Sequence, residues 1–151
     1  ALYLVKEVFN DLNIPLIIAG NKPSQELRNA IKGNNNIEIK TKLNSEEMYS
    51  LIENAQINVL PTFQSTGIKL KLITALYKGR HCIVNTPMVY KTELESLCTV
   101  ADSPLEMKQR ISEFYVTPFT SADIDKRQDW LTTKGFSNKH NARQLIKMLF
   151  P

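Results

Sequence analysis

Along this chain, short continuous apolar runs alternate with stretches in which apolar residues recur every three to four positions. The first stretch sets Leu4, Val5, Val8, Phe9 and Leu12 on one helical face. Residues 14–19, Ile-Pro-Leu-Ile-Ile-Ala, then form an apolar run that stops at Gly20, as a buried strand would. Ser24 caps a helix to about residue 32, the Gly33-Asn-Asn-Asn36 turn follows, and residues 37–40 form a strand. Asn44 or Ser45 caps a helix over residues 46–54 with Met48, Leu51 and Ile52 inward, and residues 57–60 are the next strand. After a central helix come a strand at 81–84, a short helix around 89–96 and a last strand near 97–100. The tail reads as a Ser103-capped helix over 104–115, a break at Pro118-Phe119, a helix over 121–132 and a final helix capped by Ser137. That last helix has Ala142, Leu145, Ile146 and Leu149 on one face. Strands alternating with helices predict an α/β fold: a parallel sheet with helices on both faces.

The chain is organised around the segment between the strands at 57–60 and 81–84. Leu72, Ile73 and Leu76 form the apolar stripe of its helix, and Gly67, Lys71, Thr74 and Lys78 the polar one. The alternation over residues 68–72 also fits a strand, but length and the following Ala75-Leu76 favour helix. Ser65 or Thr66 can cap this helix, and Gly67 lets a ligand approach the backbone N–H groups. Lys69 and Lys71 in the first turns oppose the helix dipole, a placement that a bound phosphate would explain. The plainer reading is an ordinary cap with solvated lysines.

Ser65-Thr-Gly-Ile-Lys-Leu-Lys-Leu-Ile-Thr-Ala-Leu-Tyr-Lys-Gly79 resembles the donor-site signature of the group 1 glycosyltransferases, which have two Rossmann-like domains in the GT-B architecture. The resemblance implies that Thr66 and Gly67 lie in a loop holding the diphosphate of a nucleotide-sugar, with Lys69 and Lys71 in the basic positions. Thr74 stands where the family's ribose-binding Glu is expected, and Thr66 where many members carry an earlier Glu. Thr makes a single hydroxyl hydrogen bond where a carboxylate accepts two charge-assisted ones, so donor binding through these positions is expected to be weaker, rerouted to another carboxylate, or lost. Residues 17–21 look like the family's second strand and turn, and residues 37–43 like the segment reaching the base. Gly20, Asn21 and Lys42 thereby join the candidate donor site. Read locally, Gly20-Asn21 is a turn and Lys42 a solvated charge.

The resemblance covers roughly residues 1–141. It implies the C-terminal domain of a longer enzyme, inactive without its N-terminal acceptor-binding half, and with the family's first strand and basic loop absent ahead of residue 1. The implied reaction is retaining transfer of a sugar from a nucleoside diphosphate sugar to a saccharide or lipid-linked acceptor. The nucleotide-sugar is a substrate, and no cofactor or metal is implied. The alternatives are a non-catalytic scaffold that kept the fold and lost the donor site, and an unrelated doubly wound domain for another phosphorylated ligand.

Composition leaves this picture in place. The 151 residues suit one domain, and 42% hydrophobic with 23% charged residues is ordinary for a globular protein. A formal net charge of +4 suits an anionic ligand, but the lysines are scattered without a run of five, so no nucleic-acid partner is indicated. No apolar run approaches the roughly 20 residues of a membrane span. The expected location is the cytoplasm, at the inner membrane face if the acceptor is lipid-linked. Cys82 and Cys98 lack metal-ligand spacing and read as reduced core residues. Asp123-Ile-Asp125 resembles a metal-binding string but falls at a helix start, where acidic residues favour the dipole. Trp130 and Phe136 read as packing residues, His81 and His140 have no evident catalytic partner, and the catalytic residue is unassigned.

Overall fold

In the computed structural model, which describes residues 1–64, 69–136 and 138–149, strands and helices alternate up to residue 116, and two further helices follow. Strand β1 (Leu16–Ala19) pairs in parallel with β2 (Ile37–Lys40), Leu16 standing opposite Ile37 and Ala19 opposite Lys40. Strands β3 (Ile57–Val59), β4 (His81–Val84) and β5 (Thr99–Val100) form a second parallel sheet in that order. The expected single sheet is therefore two, and among the described residues no backbone hydrogen bond joins β1 to β3.

The apolar run at β4 is explained by burial on both faces. Ile83 points into one core with Leu4, Val5, Val8 and Phe9 of the opening segment and Met107 and Ile111 of helix α5 (Pro104–Val116). Cys82 and Val84 point the other way, onto Leu72, Ala75 and Leu76 of helix α3 (Leu70–Lys78). Helices thus cover both faces of this sheet, which is what lets alternate residues of one strand both be apolar. The opening segment winds as a π-helix over Leu4–Val8.

Several caps fall where the local chemistry sets them. Ser24 Oγ accepts from Leu27 N at 3.2 Å to start α1 (Gln25–Ala30). Reciprocal capping boxes join Asn44 to Glu47 at the start of α2 (Ser45–Asn54) and Ser103 to Glu106 at the start of α5. A third, Thr120 with Asp123, opens α6 (Ser121–Thr133), so Asp123 is occupied as a helix-capping carboxylate. The final helix α7 spans Asn138–Leu149; the expected Ser137 cap lies outside the described residues.

Three expectations are corrected. The helix expected around 89–96 is instead a short α4 (Thr86–Val89), with Pro87 in its first turn, and a separate 3₁₀ turn at Glu95–Leu97. Lys91 and Glu93 adopt φ of 56° and 59° between them, a left-handed conformation that no helix passes through. Met48, Leu51 and Ile52 are only half-buried, because α2 buries no residue fully. And α3 starts later than expected, with Lys69 as its N-cap residue; Ser65 and Thr66, the expected caps, lie outside the described residues. Lys69 has extended angles (φ −88°, ψ 116°), which place it before the first helical turn. Cys82 and Cys98 are free thiols, and Trp130 stacks on Phe136 with ring centroids 6.1 Å apart, both packed on the second core.

Candidate functional site

In a parallel sheet the loops that follow the strands gather on one rim, and that rim is where such folds hold ligands. On the β1–β2 side, Gly20 N donates to Lys40 O at 3.0 Å, and Asn21 Oδ1 accepts from Lys42 N at 3.0 Å. Asn21 and Lys42 are thus brought together as expected. The Asn21 oxygen, however, is committed to closing the turn in which Lys42 takes φ 57°. The Lys42 side chain is exposed.

On the β3–β4–β5 side, the loop after β3 is tied to the end of β4. The Asn85 carboxamide accepts from Thr62 N at 2.9 Å and donates to Thr62 O at 2.7 Å. One residue further on, Thr86 N and Oγ1 donate to the two oxygens of Asp102 at 2.8 and 2.7 Å, linking the ends of β4 and β5. The Tyr3 ring meets Phe63 edge-on at 5.4 Å, which brings the opening segment to the same rim. Burial raises the Tyr3 hydroxyl pKa, and the Glu7 and Asp102 charges add to it. None of these rim ties was anticipated. Asn85 stands one residue and Asp102 two residues after a strand end, which is the signal that would have singled them out.

The α3 N-terminus emerges from the loop after β3. Among the described residues no side chain caps it and no acidic residue lies in its first turn. Lys69 is half-buried at the N-cap, and Lys71 lies in the first turn with an ammonium whose pKa is lowered, by desolvation first and then by the Lys69 charge. Thr74 Oγ1 donates to Leu70 O at 3.0 Å, so its hydroxyl hydrogen is spent within the helix. Thr66 and Gly67 lie outside the described residues. An open depression of about 420 Å³ sits beside the Lys42 turn, but Glu46 and Glu47 in its lining make it a poor host for a diphosphate. Among the described residues no cluster of His, Cys, Asp and Glu could hold a metal ion, and no helix is long and apolar enough to cross a membrane.

Parallel strands, helices on both faces and a rim of strand-end loops define a Rossmann-like domain of the GT-B kind. The family model described as "Glycosyl transferases group 1" matches residues 1–115, and the chain belongs to that family. No curated protein and no solved structure matches it.

Proposed function

We propose that this domain binds the nucleoside diphosphate sugar consumed in a glycosyl transfer, with the diphosphate at the N-terminus of α3. The observation that carries the reading is the placement of Lys69 and Lys71 together at the start of α3 on the ligand rim. Two like charges at the positive end of a helix dipole favour an anion beside them, which the dipole also attracts. During transfer the same groups would stabilise the charge that develops on the departing nucleoside diphosphate. Thr66, Gly67, Gly20 and Lys42 complete the proposed donor site, with Asn21 acting through the turn it closes. The acceptor, a saccharide or a lipid-linked saccharide at a membrane face, would be held by a separate N-terminal domain of the same protein. Retention at the anomeric carbon is the expected outcome.

A second reading, a scaffold without donor binding, is favoured by one observation. The Thr74 hydroxyl that would replace a ribose-binding carboxylate is turned onto Leu70 O.

Titration with UDP, GDP and their sugar conjugates separates the two. The donor reading expects saturable binding with Kd of about 1 mM or tighter, worth about 4 kcal/mol. It expects weakening of about tenfold in Lys69→Ala or Lys71→Ala. A full-length protein that is folded but binds none of these nucleotides is the scaffold.

A further inference from the structure

The two cysteines of the chain are far apart in sequence and neighbours in the sheet. Cys82 belongs to β4, and Cys98 is extended backbone immediately ahead of β5. The parallel register sets Ile83 opposite Thr99, so one step back along the same ladder Cys82 stands opposite Cys98. Residues in register on parallel strands point to the same face, and both cysteines pack in the second core. Directly opposed positions on adjacent strands lie about 4.8 Å apart, within the span of a disulfide. A side-chain hydrogen bond already joins the two thiols, and it is the first cause, ahead of burial, of a Cys82 pKa well above the ordinary thiol value.

Thiols surrounded by apolar side chains alone are inert, but this pair has a cation beside it. Arg127 is buried and gives N–H groups to Gly79 O and Arg80 O, while its Nε is buried without a hydrogen-bond partner among the described residues. No described carboxylate forms an ion pair with this guanidinium, and Asp123 acts on it only from a distance. Arg127 and both cysteines are close enough for their charges to act on one another. A buried cation without a counter-charge is costly, and a thiolate in the pair supplies both the charge and the acceptor that the guanidinium lacks. The two sulfurs also differ in access. Cys82 is buried and Cys98 half-buried, so Cys98 is the sulfur that a small solute reaches and Cys82 lies behind it.

We propose that Cys82 and Cys98 are a redox-active dithiol, closed to an intramolecular disulfide by a peroxide and reopened by a thiol reductant. The Cys98 thiolate attacks one oxygen of hydrogen peroxide, the O–O bond breaks, and the expelled hydroxide takes up the proton that Cys98 gave away. Cys82 then attacks the sulfenic sulfur, the S–S bond forms as the S–O bond breaks, and the leaving hydroxide carries off the Cys82 proton as water. Two thiols and one peroxide give one disulfide and two waters: the sulfur pair loses two electrons and the peroxide gains them. Arg127 favours the thiolate from which the sequence starts. The new bond ties β4 to β5 just behind the Asn85–Thr62 and Thr86–Asp102 links, so it braces the strands that carry the ligand rim. It concerns sulfur chemistry alone and stands or falls without any nucleotide bound.

Peptide mapping tests it. The full-length protein is reduced, exposed to hydrogen peroxide, alkylated with N-ethylmaleimide in denaturant and digested with trypsin. Cleavage after Arg80, Lys91 and Lys108 puts Cys82 in the peptide 81–91 and Cys98 in the peptide 92–108. These two peptides should appear joined, lighter by two hydrogens than their sum, at a yield independent of protein concentration, and dithiothreitol should part them. Recovery of both cysteines alkylated overturns the proposal, as does a sulfinic acid at Cys98 with Cys82 alkylated, or Cys98 bonded to a second copy. Disulfide formation at neutral pH should be about tenfold slower in Arg127→Met and mostly restored in Arg127→Lys, which keeps the charge. Equal rates in all three proteins would remove Arg127 from the chemistry. The wild-type peptide map decides the pairing whether or not Arg127→Met folds.

Discussion

Asn85 and Thr62 form a closed pair: the carboxamide accepts from the Thr62 amide at 2.9 Å and donates to the Thr62 carbonyl at 2.7 Å. A side chain buried at the end of β4 thereby holds the backbone of the loop that leads into α3. Only a carboxamide offers a donor and an acceptor in that arrangement. Asn85→Asp sets a carboxylate oxygen against the Thr62 carbonyl, and Asn85→Leu leaves both Thr62 groups unpaired. Each should lower stability by about 1–3 kcal/mol, read from the urea midpoint. If the loop serves the donor, each should also weaken nucleotide binding beyond what the stability loss explains.

The turn between α3 and β4 has no room for a side chain at Gly79. A β-carbon there would collide with the Asn58 carboxamide and come within 2.9 Å of Ala75 O. Gly79→Ala should therefore destabilise by about 1–3 kcal/mol. Combining it with Asn58→Ala, which removes the colliding amide, should give a total below the sum of the two single effects. Additive losses would place the cause elsewhere.

Arg127 of α6 clasps the same turn. Its guanidinium donates to Gly79 O and, at 2.7 Å, to Arg80 O, and it lies over the Phe119 ring at 4.9 Å. Arg127→Met keeps much of the apolar stem but abandons two carbonyls, at an expected cost of about 2–3 kcal/mol. Arg127→Lys should recover little, because one ammonium cannot fork to both oxygens while stacking on the ring.

Acid should loosen the two helices of the tail first. Hydrogen bonds from Ser103 and Asp102 backbone N–H groups hold the Glu106 carboxyl below its ordinary pKa, and the Thr120 hydroxyl and amide do the same for Asp123. A folded-state value below the unfolded one contributes stability that is present above the ordinary carboxylate pKa and lost as pH falls through the lowered one. The urea midpoint should therefore drop as pH is taken below about 4.5, and Glu106→Gln with Asp123→Asn should flatten that part of the profile.

Lys71 gives the donor reading a spectroscopic signature. Its ammonium pKa is lowered in the free domain by desolvation and by Lys69. A diphosphate at the α3 N-terminus must raise it, so binding at alkaline pH should take up protons. The Lys71 side-chain NMR titration should move upward with UDP or GDP. An unmoved titration at nucleotide saturation would place the diphosphate elsewhere.

What the amino-acid sequence determined alone was the order and kind of most elements and several caps: the strand at residues 37–40, the helices opened by Ser24 and Ser103, and the apolar face of α3. These rest on interactions three or four residues apart, or on the two-residue period of a strand. The tertiary structure decided that Asn85 reaches Thr62 across 23 residues and Arg127 reaches Gly79 across 48. It likewise decided that Asn21 closes the Lys42 turn, that α3 starts at Leu70, and that the strands divide into two sheets. Each depends on which distant backbone groups chain folding brings within hydrogen-bond distance, and local periodicity carries no record of that.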